Sequence, residues 1–346
     1  MRKKSLARKP YIRALIAAAL AIAVTVGGLS WRARQPLAIT PGTEVRVTPG
    51  TTLRSLAGQL QGAGVVDSAA LFRWGVRLAG RGGKLKAGVY RFDAPLSALQ
   101  LVDKIERGEV SQIAVQFIEG WNLTQLRAAL AAETGLAGEA GRLGNAELLE
   151  RLGVKDAALA LGADGSHPEG LFFPDTYFVA PHSDGAALLK RAFELQRERL
   201  AAAWAARAPG LPYKTPYEAL IMASIVEKET GLAAERPLIA GVFVNRLKKG
   251  MRLQTDPAVI YGVGERYDGN LRKIDLLTDT PYNTYTRAGL PPTPIALPGE
   301  AAIRAALNPE KTAALYFVAR GDGTSEFSND LASHNRAVSR YQRNGR

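Results

Sequence analysis

Cysteine is absent from the 346-residue sequence, and histidine is scarce, with only His167, His182 and His334. The absence of cysteine excludes disulfide scaffolds, cysteine-ligated zinc and cysteine nucleophiles, and three scattered histidines do not indicate a metal site. Acidic residues are outnumbered by lysine and arginine, 32 to 45, which gives a formal net charge of +13. A chain this basic is suited to anionic surroundings such as nucleic acid, phospholipid head groups or an acidic wall polymer.

The N-terminus contains the long apolar run of the sequence. Residues 2–13 carry six cations and no acid, and residues 14–31 carry no charge. At about 1.5 Å per helical residue the run spans about 27 Å, close to the hydrocarbon thickness of a bilayer. We predict a cytoplasmic segment at residues 1–13 and a transmembrane anchor at residues 14–34, because positive charge is in excess before the run. A cleaved signal peptide is the alternative, although no small-x-small cleavage site follows the run.

The remaining charge is much closer to balance. Eight cations lie in the predicted anchor and its flanks, and four arginines lie in the tail after residue 335. Nucleic acid is therefore not expected as a partner. With 47% hydrophobic and 22% charged residues the chain is neither largely disordered nor fibrous, and its length fits about two domains.

Residues 42–110 predict a small α/β module. Short segments in which apolar and polar residues alternate, as in strands, are interspersed with segments in which apolar residues have helical spacing. The predicted strands are 44–48 and 87–92, and the predicted helices are 52–60, 68–78 and 96–106. This order resembles a LysM-type glycan-binding fold. A generic small domain fits the pattern equally well.

Residues 111–346 predict a larger domain of mixed helices and strands, so the fold class is α+β. The predicted elements are strands at 113–118, 251–253 and 315–319, helices at 123–133, 146–152 and 184–207, and a hairpin turn at 321–323. Residues 135–165 are rich in alanine, glycine and leucine and predict loosely constrained helices and loops. From residue 251 onward the composition favours long loops, which often carry function on a rigid scaffold.

The segment 217–230 predicts a helix that is apolar on every side, as is typical of a buried core helix. Glu227 and Glu229 stand at its end, about 200° apart, so the two carboxylates cannot share one task. The helix dipole and burial would both raise the pKa of a carboxyl here, as a general acid requires. The residues alone leave another interpretation open, in which both glutamates are solvated and one pairs with Lys228 or Arg236.

A series of motifs resembles the endolytic murein transglycosylases, the MltG or YceG-like family. The matching segments are 169–177 (EGLFFPDTY), 223–230 (ASIVEKET), 242–247 (VFVNRL), 250–257 (GMRLQTDP), 282–285 (YNTY), 289–292 (GLPP) and 333–335 (SHN). Their order and spacing match over about residues 40–340, and the anchor fits as well. One departure is Thr293, where the family often has glycine, and we expect no chemical consequence from it.

The resemblance implies that Glu229 is the catalytic acid/base at the end of a lysozyme-like catalytic helix. Other polar residues near the motifs suit a glycan groove, although a structural role is equally open for each. As substrate contacts we predict Gln254, Thr255, Asp256, Asn283 and Tyr285, and as supporting residues Glu227, Asn245 and Glu169. Asn245 is expected to form a buried hydrogen-bonding pair with Arg246, Glu169 to cap or fix a loop, and His334 to be a packed hydrogen-bonding residue.

The implied reaction needs a single carboxyl group. Glu229 protonates the glycosidic oxygen that leaves C1 of MurNAc, and the resulting carboxylate takes the proton of the C6 hydroxyl as a 1,6-anhydro ring closes. No metal or organic cofactor is implied. The predicted protein is a single-pass inner-membrane enzyme with a periplasmic catalytic domain, which limits the length of nascent glycan strands; peptidoglycan synthases are natural partners by resemblance only.

A membrane-anchored peptidoglycan-binding or scaffold protein without turnover is the alternative function. The small module and the long loops suit both functions. The two functions differ in whether they require the carboxyl group of Glu229. A binding protein should tolerate Glu229→Gln, whereas the enzyme should lose cleavage and keep its affinity.

Overall fold

The structure, a computed structural model, describes residues 9–343. Residues 1–8 of the predicted cytoplasmic segment and residues 344–346 lie outside the described part. The chain divides into two compact units, Met1–Ile113 and Ala114–Arg346. Helices and short strands occur in both, so the predicted α+β class is confirmed.

The first unit begins with a long apolar helix. Its elements are α1 (Lys9–Arg34), β1 (Thr43–Val47), α2 (Leu53–Gly62), α3 (Ala69–Leu78), β2 (Gly88–Phe92) and α4 (Ala98–Arg107). The stretch Tyr11–Arg34 of α1 is long and apolar enough to cross a membrane, by length and composition. Strands β1 and β2 pair antiparallel, from Thr43 opposite Phe92 to Val47 opposite Gly88.

Local sequence explains why these helices begin where they do. The side chains of Thr52, Ser68 and Ser97 each accept a hydrogen bond from a backbone N–H in the first turn of α2, α3 and α4, which satisfies donors that a helix start leaves unpaired. The apolar faces of α2 and α4 pack with β1 and β2 in one core. Its fully buried side chains include Leu56, Leu60, Tyr90, Phe92, Leu101 and Ile105.

The second unit is mainly helical, and its described residues form three two-stranded sheets. Its helices are α5 (Leu123–Ala132), α6 (Asn145–Arg151), α7 (Lys155–Leu161), α8 (Gly185–Ala205), α9 (Pro216–Glu229), α10 (Arg236–Lys248), α11 (Asp256–Val263), α12 (Lys273–Leu277), α13 (Glu300–Leu307) and α14 (Leu331–Val338). Its strands are β3 (Ile113–Gln116), β4 (Leu136–Ala137), β5 (Thr176–Val179), β6 (Ser183–Asp184), β7 (Tyr316–Ala319) and β8 (Ser325–Ser328). Strand β3 pairs with β5, β4 with β6 in parallel, and β7 with β8 antiparallel.

Helix α9 is the central helix of the second unit. It begins at Pro216, after Thr215 has capped the first turn by accepting a hydrogen bond from the N–H of Glu218. Its side chains from Ala219 to Val226 are all buried, and α8, α10, α11 and α13 pack around it. The prediction of a buried core helix is therefore correct.

Two predicted strands need correction. Residues 251–253 form no strand, because the Arg246 guanidinium donates hydrogen bonds to the carbonyls of Arg252 and Leu253 that a neighbouring strand would otherwise occupy. The strand predicted at 315–319 is present as β7; its apolar run is typical of a buried strand, but among its residues only Val318 is buried. Residues 135–165, expected to be loosely constrained, contain α6, α7 and β4.

Candidate active site

Glu229 is the last residue of α9, because Thr230 adopts extended backbone and ends the helix. The Glu229 side chain is half-buried, and the Thr255 hydroxyl donates a 2.5 Å hydrogen bond to its Oε1. Burial raises the pKa of Glu229 to about 7, helped by the negative charge of Asp256 and opposed by the Thr255 hydrogen bond and by Arg246. Near neutral pH this carboxyl group is therefore divided between its protonated and ionised forms.

Glu227 lies on the other side of the helix, as the 200° separation predicts. Its Oε1 accepts a 3.2 Å hydrogen bond from the Arg236 guanidinium, and its Oε2 accepts one of 2.9 Å from the backbone N–H of Gly299. The Glu227 side chain is only 5% exposed, and burial raises its pKa. The two glutamates therefore have separate surroundings, and Glu227 is held in an ion pair.

The Glu229 side chain lines a cleft of about 580 Å³. One wall comes from α10 and the loop before α11, and the other comes from β7, β8 and α14. The lining side chains include Phe243, Arg246, Gln254, Asp256, Tyr285, Tyr316, Phe317, Leu331, His334 and Asn335. One carboxyl of raised pKa thus faces a cleft with polar and aromatic walls, which is a setting for acid–base chemistry on a polar substrate.

The segment 254–256 joins Glu229 to this cleft. Gln254 has a backbone φ of 52°, a left-handed conformation that non-glycine residues rarely adopt and that often marks a functional site. The hydroxyl of Tyr285 donates a hydrogen bond of 2.5 Å to Oδ1 of Asp256. The structure therefore brings Gln254, Asp256 and Tyr285 to the cleft that contains Glu229.

Two residues predicted to contact substrate, Asn283 and Thr255, do not line the cleft. Asn283 is completely buried, and its side-chain amide donates to the carbonyls of Asp275, Leu276 and Thr278. This amide is already satisfied by the loop that it closes, so Asn283 does not reach the cleft. Thr255 is also buried, at 2% exposure, and meets the site through its bond to Glu229.

Asn245 and Arg246 fix the position of one wall. Asn245 donates to the carbonyls of Thr312 and Ala314, and Nε of Arg246 donates to the carbonyl of Leu315 at 2.6 Å. These bonds tie α10 to the segment that leads into β7. Both side chains form hydrogen bonds as expected, but with backbone carbonyls of this segment and not with each other, and only Arg246 is buried.

Glu169 belongs to a separate buried network. It is 1% exposed; both its oxygens lie 3.0 Å from the N–H of Leu123, and Oε2 accepts from the Tyr261 hydroxyl at 2.9 Å. Burial raises the pKa of Glu169 to about 7. Because Tyr261 lies on α11, whose first residue is Asp256, Glu169 supports the helix that carries part of the cleft wall.

The aromatic part of the opposite wall was missed by the sequence analysis. The rings of Tyr316 and His334 stack at a centroid distance of 5.1 Å and an angle of 23°, and the Arg246 guanidinium lies 5.0 Å from the centre of the Tyr316 ring. Nδ1 of His334 is buried without a hydrogen-bond partner among the described residues, so the expected packed hydrogen-bonding role is not seen at that atom. The SHN motif at residues 333–335 was the sequence feature that could have predicted this wall.

The fold mixes helices and strands, and a carboxyl group at the end of a buried helix faces an open cleft. These features define a candidate enzyme that uses acid–base catalysis. The sequence profile of the YceG-like family matches residues 45–340, and the chain belongs to that family. The family predicted from the motifs is thus confirmed.

Similar proteins include enzymes and a solved structure. A Bacillus subtilis protein named endolytic murein transglycosylase is 32% identical over 314 residues, which are 86% of this chain and 84% of the relative. A Streptococcus pneumoniae protein of the same name is 28% identical over 86% of this chain, which spans only 58% of that relative. A crystal structure of a YceG-like protein from Listeria monocytogenes is 29% identical, covers 85% of this chain and 98% of its own, and has a TM-score of 0.55. The predicted enzyme class, a lytic transglycosylase, is the one that both named relatives carry.

Proposed function

We propose that the chain is an endolytic transglycosylase of peptidoglycan, which cleaves the MurNAc–GlcNAc bond within nascent glycan strands and leaves 1,6-anhydroMurNAc ends. The observation that carries the proposal is the position of Glu229, with its pKa near 7, in a cleft of polar and aromatic side chains. The names of the relatives support the same activity.

The mechanism follows from a carboxyl group that can both give and take a proton. Protonated Glu229 donates to the glycosidic oxygen while the C1–O bond breaks, and positive charge develops on the MurNAc ring. The Glu229 carboxylate then accepts the C6 hydroxyl proton as O6 bonds to C1, so no water is consumed. A pKa near neutrality suits both steps, since efficient acid–base catalysis needs a pKa close to the working pH.

The cleft residues have different proposed tasks. Gln254, Asp256 and Tyr285 supply hydrogen-bonding groups to the sugar units on either side of the cleaved bond. Asp256 also places negative charge beside the centre that becomes positive. The stacked rings of Tyr316 and His334 provide an apolar face of the kind that sugar rings pack against.

The apolar helix of the first unit supports a location of the protein at the membrane. We propose that α1 crosses the inner membrane once with its N-terminus in the cytoplasm, which puts both units in the periplasm and limits cleavage to strands made nearby. We also propose that the first unit, in which α2 and α3 lie between the antiparallel strands β1 and β2, is a LysM-like module that binds glycan. Peptidoglycan synthases are proposed as neighbours of the enzyme.

Product analysis tests the proposed reaction against its alternatives. The full chain in detergent micelles is incubated with uncrosslinked glycan strands, and the new ends are identified by mass spectrometry. We expect 1,6-anhydroMurNAc ends from internal positions. New reducing ends would show hydrolysis instead, and binding without new ends would favour the non-catalytic scaffold.

The Thr255→Val substitution tests how Glu229 is tuned. The wild-type rate should fall as the pH rises through about 7, because the proton of Glu229 is lost. The Thr255 hydroxyl favours the ionised carboxylate, so its removal should raise the pKa and move this limb upward by about one pH unit. Thr255→Ser keeps the hydroxyl and should retain the wild-type profile. An unchanged or lowered limb in Thr255→Val would contradict the assignment.

A further inference from the structure

Helix α3 has an apolar stripe that the described residues of its unit leave about half exposed. Leu71, Trp74 and Leu78 are 51%, 53% and 44% exposed, whereas Phe72 and Val76 on the same helix are buried in the core. The three exposed residues follow the i, i+3, i+7 spacing of one helix face. Exposed apolar side chains in such a row indicate a surface with a partner.

This stripe lies beside the end of the apolar helix α1. A Cβ atom on Gly75 would come within 2.9 Å of the Ala33 Cβ and 3.3 Å of the Leu29 carbonyl oxygen, so α3 touches the last turns of α1 directly. The Arg32 guanidinium also forms a 2.7 Å ion pair with Asp67, just before α3. Helix α3 is thus fixed at the level where the apolar part of α1 gives way to charged residues.

The helix geometry tells which way the stripe faces. At about 100° per residue, Leu71, Leu78 and Trp74 lie roughly 40–100° to one side of Gly75, and the buried residues lie a similar angle to the other side. The contact with α1 therefore separates the packed face of α3 from the stripe. Since the packed face belongs to the core of the first unit, the stripe faces away from that core.

The charge around the stripe complements a lipid surface. Residues 68–92 contain six lysines and arginines and no acid. Within the described part of the chain, ion pairs hold Arg81 and Arg91, while Arg73, Arg77 and Lys84 have no ion-pair partner. Arginine and lysine beside tryptophan and leucine are the residues that interfacial helices use against anionic phospholipids.

We propose that α3 is an interfacial helix, which inserts Leu71, Trp74 and Leu78 among the lipids at the outer face of the bilayer that α1 crosses. This second attachment fixes the height and tilt of the first unit above the membrane. The inference rests on the proposed membrane-spanning role of α1. The occupant is phospholipid, because the stripe lies beside the apolar helix and is bordered by cations.

The absence of cysteine makes a labelling experiment direct. Single cysteines are introduced in the full chain at Leu71 and Leu78, at Gln59 on the exposed face of α2, and at Ala18 within α1, and each is spin-labelled. The protein is reconstituted into nanodiscs that contain phosphatidylglycerol. We expect the ratio of oxygen to nickel-chelate collision rates to be several-fold higher at positions 71 and 78 than at position 59, and to approach the value at position 18.

The outcomes separate this inference from the function on which it rests. A lipid value at position 18 with water-like values at 71 and 78 would overturn the inference and leave the membrane span intact. Low accessibility to both reagents at 71 and 78 would mean that protein, a second copy or another chain, covers the stripe, which would also overturn it. A water-like value at position 18 would refute the membrane span, and the inference would fail with it.

Discussion

Replacing Glu229 with glutamine is expected to lower the rate of glycan cleavage by about 10²–10⁴-fold, the usual contribution of a positioned acid–base group. Glutamine is nearly isosteric and can still accept the Thr255 hydrogen bond, so the fold and the affinity for glycan should remain. The measurement is the formation of new strand ends from uncrosslinked glycan, paired with co-sedimentation on sacculi to report binding.

The control is the same substitution at an exposed glutamate. Glu265 lies in the exposed turn 264–266 after α11, and Glu265→Gln should cleave at the wild-type rate. Full cleavage by Glu229→Gln would remove the basis of the proposed mechanism. Loss of binding together with cleavage would mean that the substitution had damaged the cleft rather than the chemistry.

Replacing Glu227 with leucine is expected to destabilise the second unit by about 3–5 kcal/mol, the range for breaking a buried ion pair from one side. The Arg236 side chain, only 13% exposed, would keep its charge without a carboxylate, and the N–H of Gly299 would lose its acceptor. For a unit of this size the midpoint of thermal unfolding should fall by roughly 10 °C, as followed by circular dichroism.

A double variant separates the ion pair from the packing of the helix. Replacing Glu227 with leucine and Arg236 with methionine removes both charges, so much of the lost stability should return. If the double variant unfolds at or below the midpoint of the single variant, the destabilisation does not come from the unpaired Arg236 charge.

Local sequence signals predicted the elements that local forces determine. The unbroken apolar run of residues 217–230 identified a buried helix, and the angle between Glu227 and Glu229 identified their separation. Both properties depend on residues within a few turns of each other. Strands β1 and β2 and helices α2, α3 and α4 of the first unit followed for the same reason, since each is short and has a local pattern of apolar residues.

The cleft itself depends on contacts that the sequence does not reveal. Arg246 bonds with the carbonyl of Leu315, 69 positions away, and this contact brings Tyr316 and His334 opposite Glu229. The Asn283 side chain is of a type that often contacts ligands, yet its amide donates hydrogen bonds to three nearby backbone carbonyls. The polar side chains in the motifs therefore indicated which residues have a role. Only the structure shows which of them line the cleft and which hold a loop in place.

The bond from Thr255 leaves the two oxygens of Glu229 unequal. Oε1 is occupied by the hydroxyl, and no hydrogen bond to Oε2 is found among the residues that the structure describes. Oε2 is therefore the oxygen that we expect, in the proposed reaction, to release the proton to the departing sugar and to recover another from C6. The MurNAc ring consequently has to present its leaving oxygen and its C6 hydroxyl to a single point in turn, which restricts the ring puckers that can react.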